Sequence, residues 1–336
     1  MKIAPLPRAR LAAAERVLAE ACAFDRAAEV AAEKLFGPGP TSAAQPFGAW
    51  DGDELVGVAA VSARWLRLIA VVPRARRAGA GSGLLAACTA AARAEGMETL
   101  SALDQPGNYV APGIDERNVD AIAWLEKRGW QRRAESRTNL IIDVRDNPRV
   151  SGERAAELAD RAAARGYEIR RARPDEREAL CAAVAAEFGG AWPYEIERAL
   201  ADEPAGVHVA VERTGGGAPA GVHVAVERTG VHLAGERAGR AEPSAARMQP
   251  RVSYCAFAAH DGNNRGLGWF GPTGTWPAHR GKGLGEALLL ACLVDIAAEH
   301  PQCEVAWIGP RAFYEKVAGI AGERRFWVGS GATSTR

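Results

Sequence analysis

The sequence predicts an α/β protein of the α+β kind, built from two tandem copies of one fold. Three observations predict it. Residues 73–88 realign with 277–292 at a constant offset, so that Pro73, Arg76, Gly79, Gly81, Leu84, Leu85, Ala87 and Cys88 match Pro277, Arg280, Gly283, Gly285, Leu288, Leu289, Ala291 and Cys292. Further on, Trp124-Leu-Glu-Lys127-Arg-Gly129 echoes Phe313-Tyr-Glu-Lys316-Val-Ala-Gly319 with one extra residue. Each half also runs from apolar strand-like segments through a Gly-rich turn into a helical pattern, then a further strand and a second helix.

In order, Leu11, Ala14, Leu18, Ala21 and Cys22 recur at helical spacing, and 176–188 is their counterpart in the second half. The runs 55–61 and 65–72, parted by a short Ser-Ala-Arg connection, read as adjacent strands. Beyond Gly81, Leu84, Leu85, Cys88, Ala91 and Ala92 predict a helix that Gly96 stops, and Leu288, Leu289, Cys292 and Ile296 repeat it. Residues 145–165, polar and Ala-rich after Asn147-Pro148, are expected to be a partly helical linker, dividing the chain into domains at 1–144 and 166–330. A younger duplication lies within the second domain, at 204–239. There 204–215 recurs unchanged as 219–230, and a degenerate copy follows. Its Val-His-Val-Ala-Val alternation predicts extra strands at the sheet edge. The spacing of His208, His223 and His232 follows that duplication, without the companion ligands of a metal site, so no metal is expected.

The chain has 336 residues, 48% of them apolar, enough to fill two cores. A formal net charge of +1 gives no electrostatic case for a nucleic-acid partner. Glu15 and Glu20 interrupt any signal core near the N-terminus, and Arg64 and Arg67 break the longest apolar stretch, so neither secretion nor a membrane span is expected. Six cysteines without a C-x-x-C pair fit free thiols in a reducing, cytoplasmic setting.

The element that carries chemistry is Arg280-Gly281-Lys282-Gly283-Leu284-Gly285, after a strand and before a helix. Glycines let successive N–H groups converge, and the helix that follows aims its positive end at the same point, which is a phosphate-binding design. Gly283 after Lys282 rules out a Walker loop, and the spacing of Gly281, Gly283 and Gly285 is not that of a dinucleotide fingerprint.

These residues resemble the GNAT superfamily of acyl-CoA-dependent acyltransferases, whose hallmark is (Arg or Gln)-x-x-Gly-x-(Gly or Ala). Both halves match it, as Arg76-x-x-Gly79-x-Gly81 and Arg280-x-x-Gly283-x-Gly285, each preceded by Pro at the same distance. Phe313-Tyr314-Glu315-Lys316 looks like the family's later aromatic-Tyr-x-Lys run. The resemblance implies a mixed, mostly antiparallel sheet whose fourth and fifth strands splay apart around the acyl-CoA arm. It assigns acetyl-CoA binding to Gly274, Thr275, Arg280, Gly281, Lys282, Gly283 and Gly285. In the first half it assigns Val71, Arg76, Arg77, Gly79, Gly81 and Ser82.

The same resemblance makes Tyr314 the acid that protonates the departing thiolate; Leu125 stands at the matching place in the first half, which is expected to be catalytically degenerate. Tyr109, in an inserted stretch at 105–118, is an alternative hydroxyl there, and Trp192-Pro193-Tyr194 could line an acceptor pocket. Glu187, Glu195 and Asp261 are candidate bases that sequence does not place. The expected function is N-acetylation of the primary amine of a small molecule in the second domain, in a tandem arrangement similar to mycothiol synthase or amino-sugar acetyltransferases. A non-catalytic acyl-CoA-binding protein and a tandem-fold aminoacyl transferase are the alternatives.

Overall fold

The computed structural model describes residues 1–213 and 252–333. The chain opens with β1 (Lys2–Pro5), α1 (Leu11–Ala21) and α2 (Ala31–Phe36). The antiparallel strands β2 (Gln45–Asp51), β3 (Glu54–Ser62) and β4 (Trp65–Val71) follow. Helix α3 (Ala80–Ala94) crosses over to β5 (Thr99–Ala102), parallel to β4; β6 (Ile114–Asp115), α4 (Val119–Glu126), β7 (Gln131–Arg132) and β8 (Arg137–Asp143) come next. After α5 (Gly152–Ala163) the plan repeats through β9 (Tyr167–Arg171), α6 (Arg177–Glu187), α7 (Trp192–Ala199), β10 (Val207–Glu212), β11 (Tyr254–His260) and β12 (Trp269–Thr275). It ends with α8 (Leu284–Glu299), β13 (Gln302–Val305), α9 (Arg311–Val317), β14 (Gly322–Trp327) and β15 (Gly329–Ala332). Outside the later copies of the duplicated segment, the predicted strands and helices are present, and among the described residues no helix is long and apolar enough to cross a membrane.

Two mixed, mostly antiparallel sheets result, in the orders β1-β2-β3-β4-β5-β15-β7 and β6-β14-β8-β13-β12-β11-β10-β9. The halves exchange strands. β8, from the first half, lies between β13 and β14, and β15, from the chain end, lies between β5 and β7. The boundary read from sequence at residue 144 is therefore crossed in both directions. Arg324 of β14 ties the same junction: it donates to Glu304 at 2.9 Å, to Asp25 at 2.6 Å and to the carbonyl of Phe24 at 2.8 Å.

Two further features have physical causes. The stretch expected to be a partly helical linker contains α5, N-capped by Ser151, whose hydroxyl accepts from the Arg154 amide at 3.2 Å. Its Ala155, Leu158 and Ala162 cover α8. Helix α8 buries Leu284, Leu288, Leu289, Leu290, Leu293 and Ile296 around most of its circumference, so it needs cover on both the sheet side and the far side. The first copy of the duplicated segment forms β10, which lies inside the sheet between β9 and β11 and not at its edge. Val207, Val209 and Val211 on one face and His208 and Ala210 on the other are all buried. His223 and His232, in the later copies, lie outside the described residues.

His208 joins a charged cluster on α8: Asp295 accepts from His208 Nε2 at 2.6 Å, His260 Nε2 at 3.3 Å and Arg171 at 2.8 Å. Burial alone would lower the His260 pKa, but its bonds to Asp261 and Asp295 raise it to about 9. Because the folded value lies above the unfolded one, this stabilisation is complete below the unfolded pKa of about 6.5 and disappears as pH rises through about 9. The contribution is about 3 kcal/mol at most. Thermal unfolding followed between pH 6 and pH 10 should show the melting temperature falling over that interval, and His260→Gln should flatten the fall.

Candidate active site

The two Gly-rich loops have the same backbone. Gly79 and Gly283 are the N-cap residues of α3 and α8, with φ of 90° and 80°, a left-handed conformation that costs glycine little. Arg76 donates through Nε to the carbonyl of Val71 at 3.1 Å, and Arg280 does the same to Thr275 at 3.2 Å. Each motif arginine thus clamps the loop to the end of the preceding strand. A Cβ on Gly285 would meet only the Phe313 ring at 3.7 Å and the Thr275 hydroxyl at 3.8 Å, so packing alone does not require glycine there. The bare backbone leaves the first turn of α8 open to close approach, where unpaired N–H groups and the helix dipole favour an anion. Lys282 is engaged elsewhere: its ammonium donates to the Tyr167 hydroxyl at 2.6 Å. In the first half Ser82 accepts from Arg128 at 2.8 Å, and Arg77 adopts φ 63° where the second loop has Gly281.

Strands β12 and β13 pair in parallel only at Trp269 with Glu304 and Phe270 with Val305, and then separate. From Gly271 to Thr275 strand β12 keeps β11 on one side, while its other edge faces a cavity of about 750 Å³. That cavity is lined by Gly274, Thr275, Gly285, Phe313 and Tyr314 beside the loop, and also by Phe188, Trp192, Glu195, Trp269 and Trp307. Pro106, Gly107 and Tyr109 close it from the first half. Burial raises the Tyr314 hydroxyl to about 12, so it carries its proton at any physiological pH. Of the candidate bases, only Glu195 lines the cavity; Glu187 is exposed and Asp261 is bonded to His260 and the Gly266 amide. Glu195 is 7% exposed, and among the described residues no donor lies within hydrogen-bond distance of its carboxylate. Burial raises its pKa to about 7, with Lys34 and Arg198 opposing and Glu33 assisting.

The first half repeats the register, with Trp65 opposite Ser101 and Leu66 opposite Ala102, but fills the place where the strands part. At the constant offset Arg67 stands where the second half has Gly271. It is fully buried and donates to Gln105 at 2.6 Å and to the carbonyls of Gly37 and Ser42 at 2.9 and 3.2 Å. Arg67 is thus a residue that sequence reading passed over. Its signal is an arginine aligned with a glycine in a strand that is otherwise apolar. Of the two aromatic residues at 192–194, Trp192 lines the cavity, while the Tyr194 hydroxyl donates to the Pro38 carbonyl in the first half at 2.8 Å.

Paired Gly loops at helix N-termini, each beside strands that part, define a tandem acetyltransferase architecture. Residues 19–130 match the acetyltransferase (GNAT) family model. The whole chain carries the fold of tandem GNAT proteins. It superposes on a tandem GNAT protein from the clavulanic acid biosynthesis pathway (TM-score 0.61, 16% identity, 100% of this chain and 99% of that one). It is similar to a GCN5-related N-acetyltransferase from Sphaerobacter thermophilus (TM-score 0.60, 14% identity, 99% and 96%). It is also similar to a GCN5-related glucosamine N-acetyltransferase region of a fungal multi-domain β-N-acetylglucosaminidase (TM-score 0.68, 16% identity), covering 98% of this chain and 38% of that protein. No curated protein sequence matches the chain. The family match falls on the half whose strand gap Arg67 fills, whereas the open cavity lies in the other.

Proposed function

We propose that this acyl-transfer enzyme moves an acetyl group from acetyl-CoA to the primary amine of a small molecule in the cavity of the second half, with one coenzyme bound per chain. The observation that carries this reading is that one cavity joins the α8 N-terminus, the unpaired edge of β12, Tyr314 and Glu195. Bound acetyl-CoA supplies a thioester whose carbonyl carbon accepts the amine. The amides of 281–285 hold the anionic pyrophosphate, and the free backbone groups of 271–275 pair with the arm as a strand would. Glu195 takes one proton from the incoming ammonium, leaving a neutral amine whose lone pair forms the new C–N bond as the C–S bond breaks. The second amine proton ends on the departing sulfur, and Glu195 returns its own to solvent. A phenol held near 12 does not fully protonate a thiolate of pKa about 8.5, so Tyr314 acts as a hydrogen-bond donor to the charge developing on sulfur.

Three measurements test this. Calorimetry with acetyl-CoA should give one site per chain, lost when Gly283 and Gly285 are both replaced by Val; binding that survives the change would move the site to the first half. Tyr314→Phe should lower kcat by about 10²-fold with coenzyme affinity retained. The kcat/KM profile should fall below about pH 7 as Glu195, facing Lys34, Glu33, Arg198 and Tyr109, takes up its proton. Glu195→Gln should remove that acid limb.

A further inference from the structure

The acceptor end of the cavity has a composition that selects among amines, an inference that rests on the acetyl-transfer reading above. Its walls are the rings of Phe188, Trp192, Trp269, Trp307 and Tyr109. Phe188 and Trp192 lie with ring centroids 5.3 Å apart, and Tyr109 stands 6.1 Å from Trp269 and 6.0 Å from Trp307, so the rings fall into two groups. Among the described lining residues, Glu195 is the only side chain with a carboxylate or cationic group, and it stands on the same helix as Trp192. Two polar side chains of the lining are already occupied. Asn263 accepts from Lys34 at 2.6 Å and donates to the Tyr109 carbonyl at 3.0 Å, and Thr273 donates to the Phe257 carbonyl at 3.0 Å.

We infer that the acceptor is a monoamine with an aromatic or apolar body, whose ammonium pairs with Glu195 while its body fills the space between the ring groups. A buried carboxylate without a partner is costly, and one ammonium compensates it; a second cation or an anion finds no counter-charge in the lining. Aromatic faces favour a flat apolar body and tolerate a cation beside it. A sugar or a free amino acid brings more polar groups than the few hydroxyl and indole N–H groups of this mostly aromatic lining can satisfy. The pocket therefore points away from amino sugars, although one structural relative acts on glucosamine.

The test is direct binding, read by tryptophan fluorescence and calorimetry with the full chain, both alone and saturated with coenzyme A. The probes are 2-phenylethylamine, its neutral isostere 2-phenylethanol, glucosamine and glycine. The amine should bind at least about tenfold more tightly than glucosamine or glycine. Glu195→Gln should weaken 2-phenylethylamine by about tenfold and leave 2-phenylethanol unchanged, since only the charge pairing is lost. Trp192→Ala should weaken both aromatic probes, with circular dichroism and thermal melts confirming that each variant is folded. Glucosamine binding as tightly as the aromatic amine, or no effect of Glu195→Gln, would overturn the inference. Acetyl-CoA binding measured on the same samples separates the two ideas. Coenzyme binding without aromatic preference sinks the acceptor class alone, and absence of coenzyme binding sinks the acetyl-transfer reading while the amine titration still decides the pocket.

Discussion

The open edge of β12 depends on a grip from the other half of the chain. After Val305, β13 could have continued beside β12 and closed the gap. Instead the amide of Trp307 donates to Asn139 Oδ1 at 2.8 Å, and that of Ile308 to the carbonyl of Thr138 at 3.1 Å. The Arg137 guanidinium lies 3.6 Å from the centre of the Trp307 ring. All three residues belong to β8, one of the strands that the first half contributes to the second sheet. Backbone groups rarely go unpaired in a protein interior, so satisfying residues 307–308 on the β8 side leaves the facing edge of β12 free to take a ligand.

Duplication gave two such gaps, and a single side chain separates their fates. Gly271 leaves the second open, whereas Arg67 fills the first with a guanidinium whose donors are met by Gln105 and nearby carbonyls. A buried arginine persists only when its hydrogen bonds are complete, which makes the first half a fixed wall. That wall is put to use. The stretch around Tyr109, inserted in the first half alone, reaches across to line the second cavity.

A polar junction holds this wall in place. Lys34, fully buried on α2, donates to Glu33, Asn108 and Asn263, while Arg198 of α7 pairs with Glu33 at 3.1 Å. Burial pulls the Lys34 pKa down to about 8, partly restored by Glu33. The same charges surround Glu195 and keep its pKa near neutrality despite nearly complete burial. Inter-half packing and the electrostatics of the candidate base are thus one arrangement.

The local signals were legible in the sequence: the Gly loops, the strands before them, the helices after them, and Tyr314 by its place in the run Phe313-Tyr314-Glu315-Lys316. Each is carried by spacing within some twenty residues, where backbone conformation and helical periodicity act directly. Tertiary structure alone decided the rest. A β-rich stretch such as 137–143 pairs equally well with either sheet, so its exchange leaves no local trace. The Arg67 plug, the placing of Glu195 and not Glu187 or Asp261 in the cavity lining, and the reach of Tyr109 into the other half all depend on contacts between residues far apart in the chain. Burial and proximity, which set their charge state and role, exist only once those segments have packed.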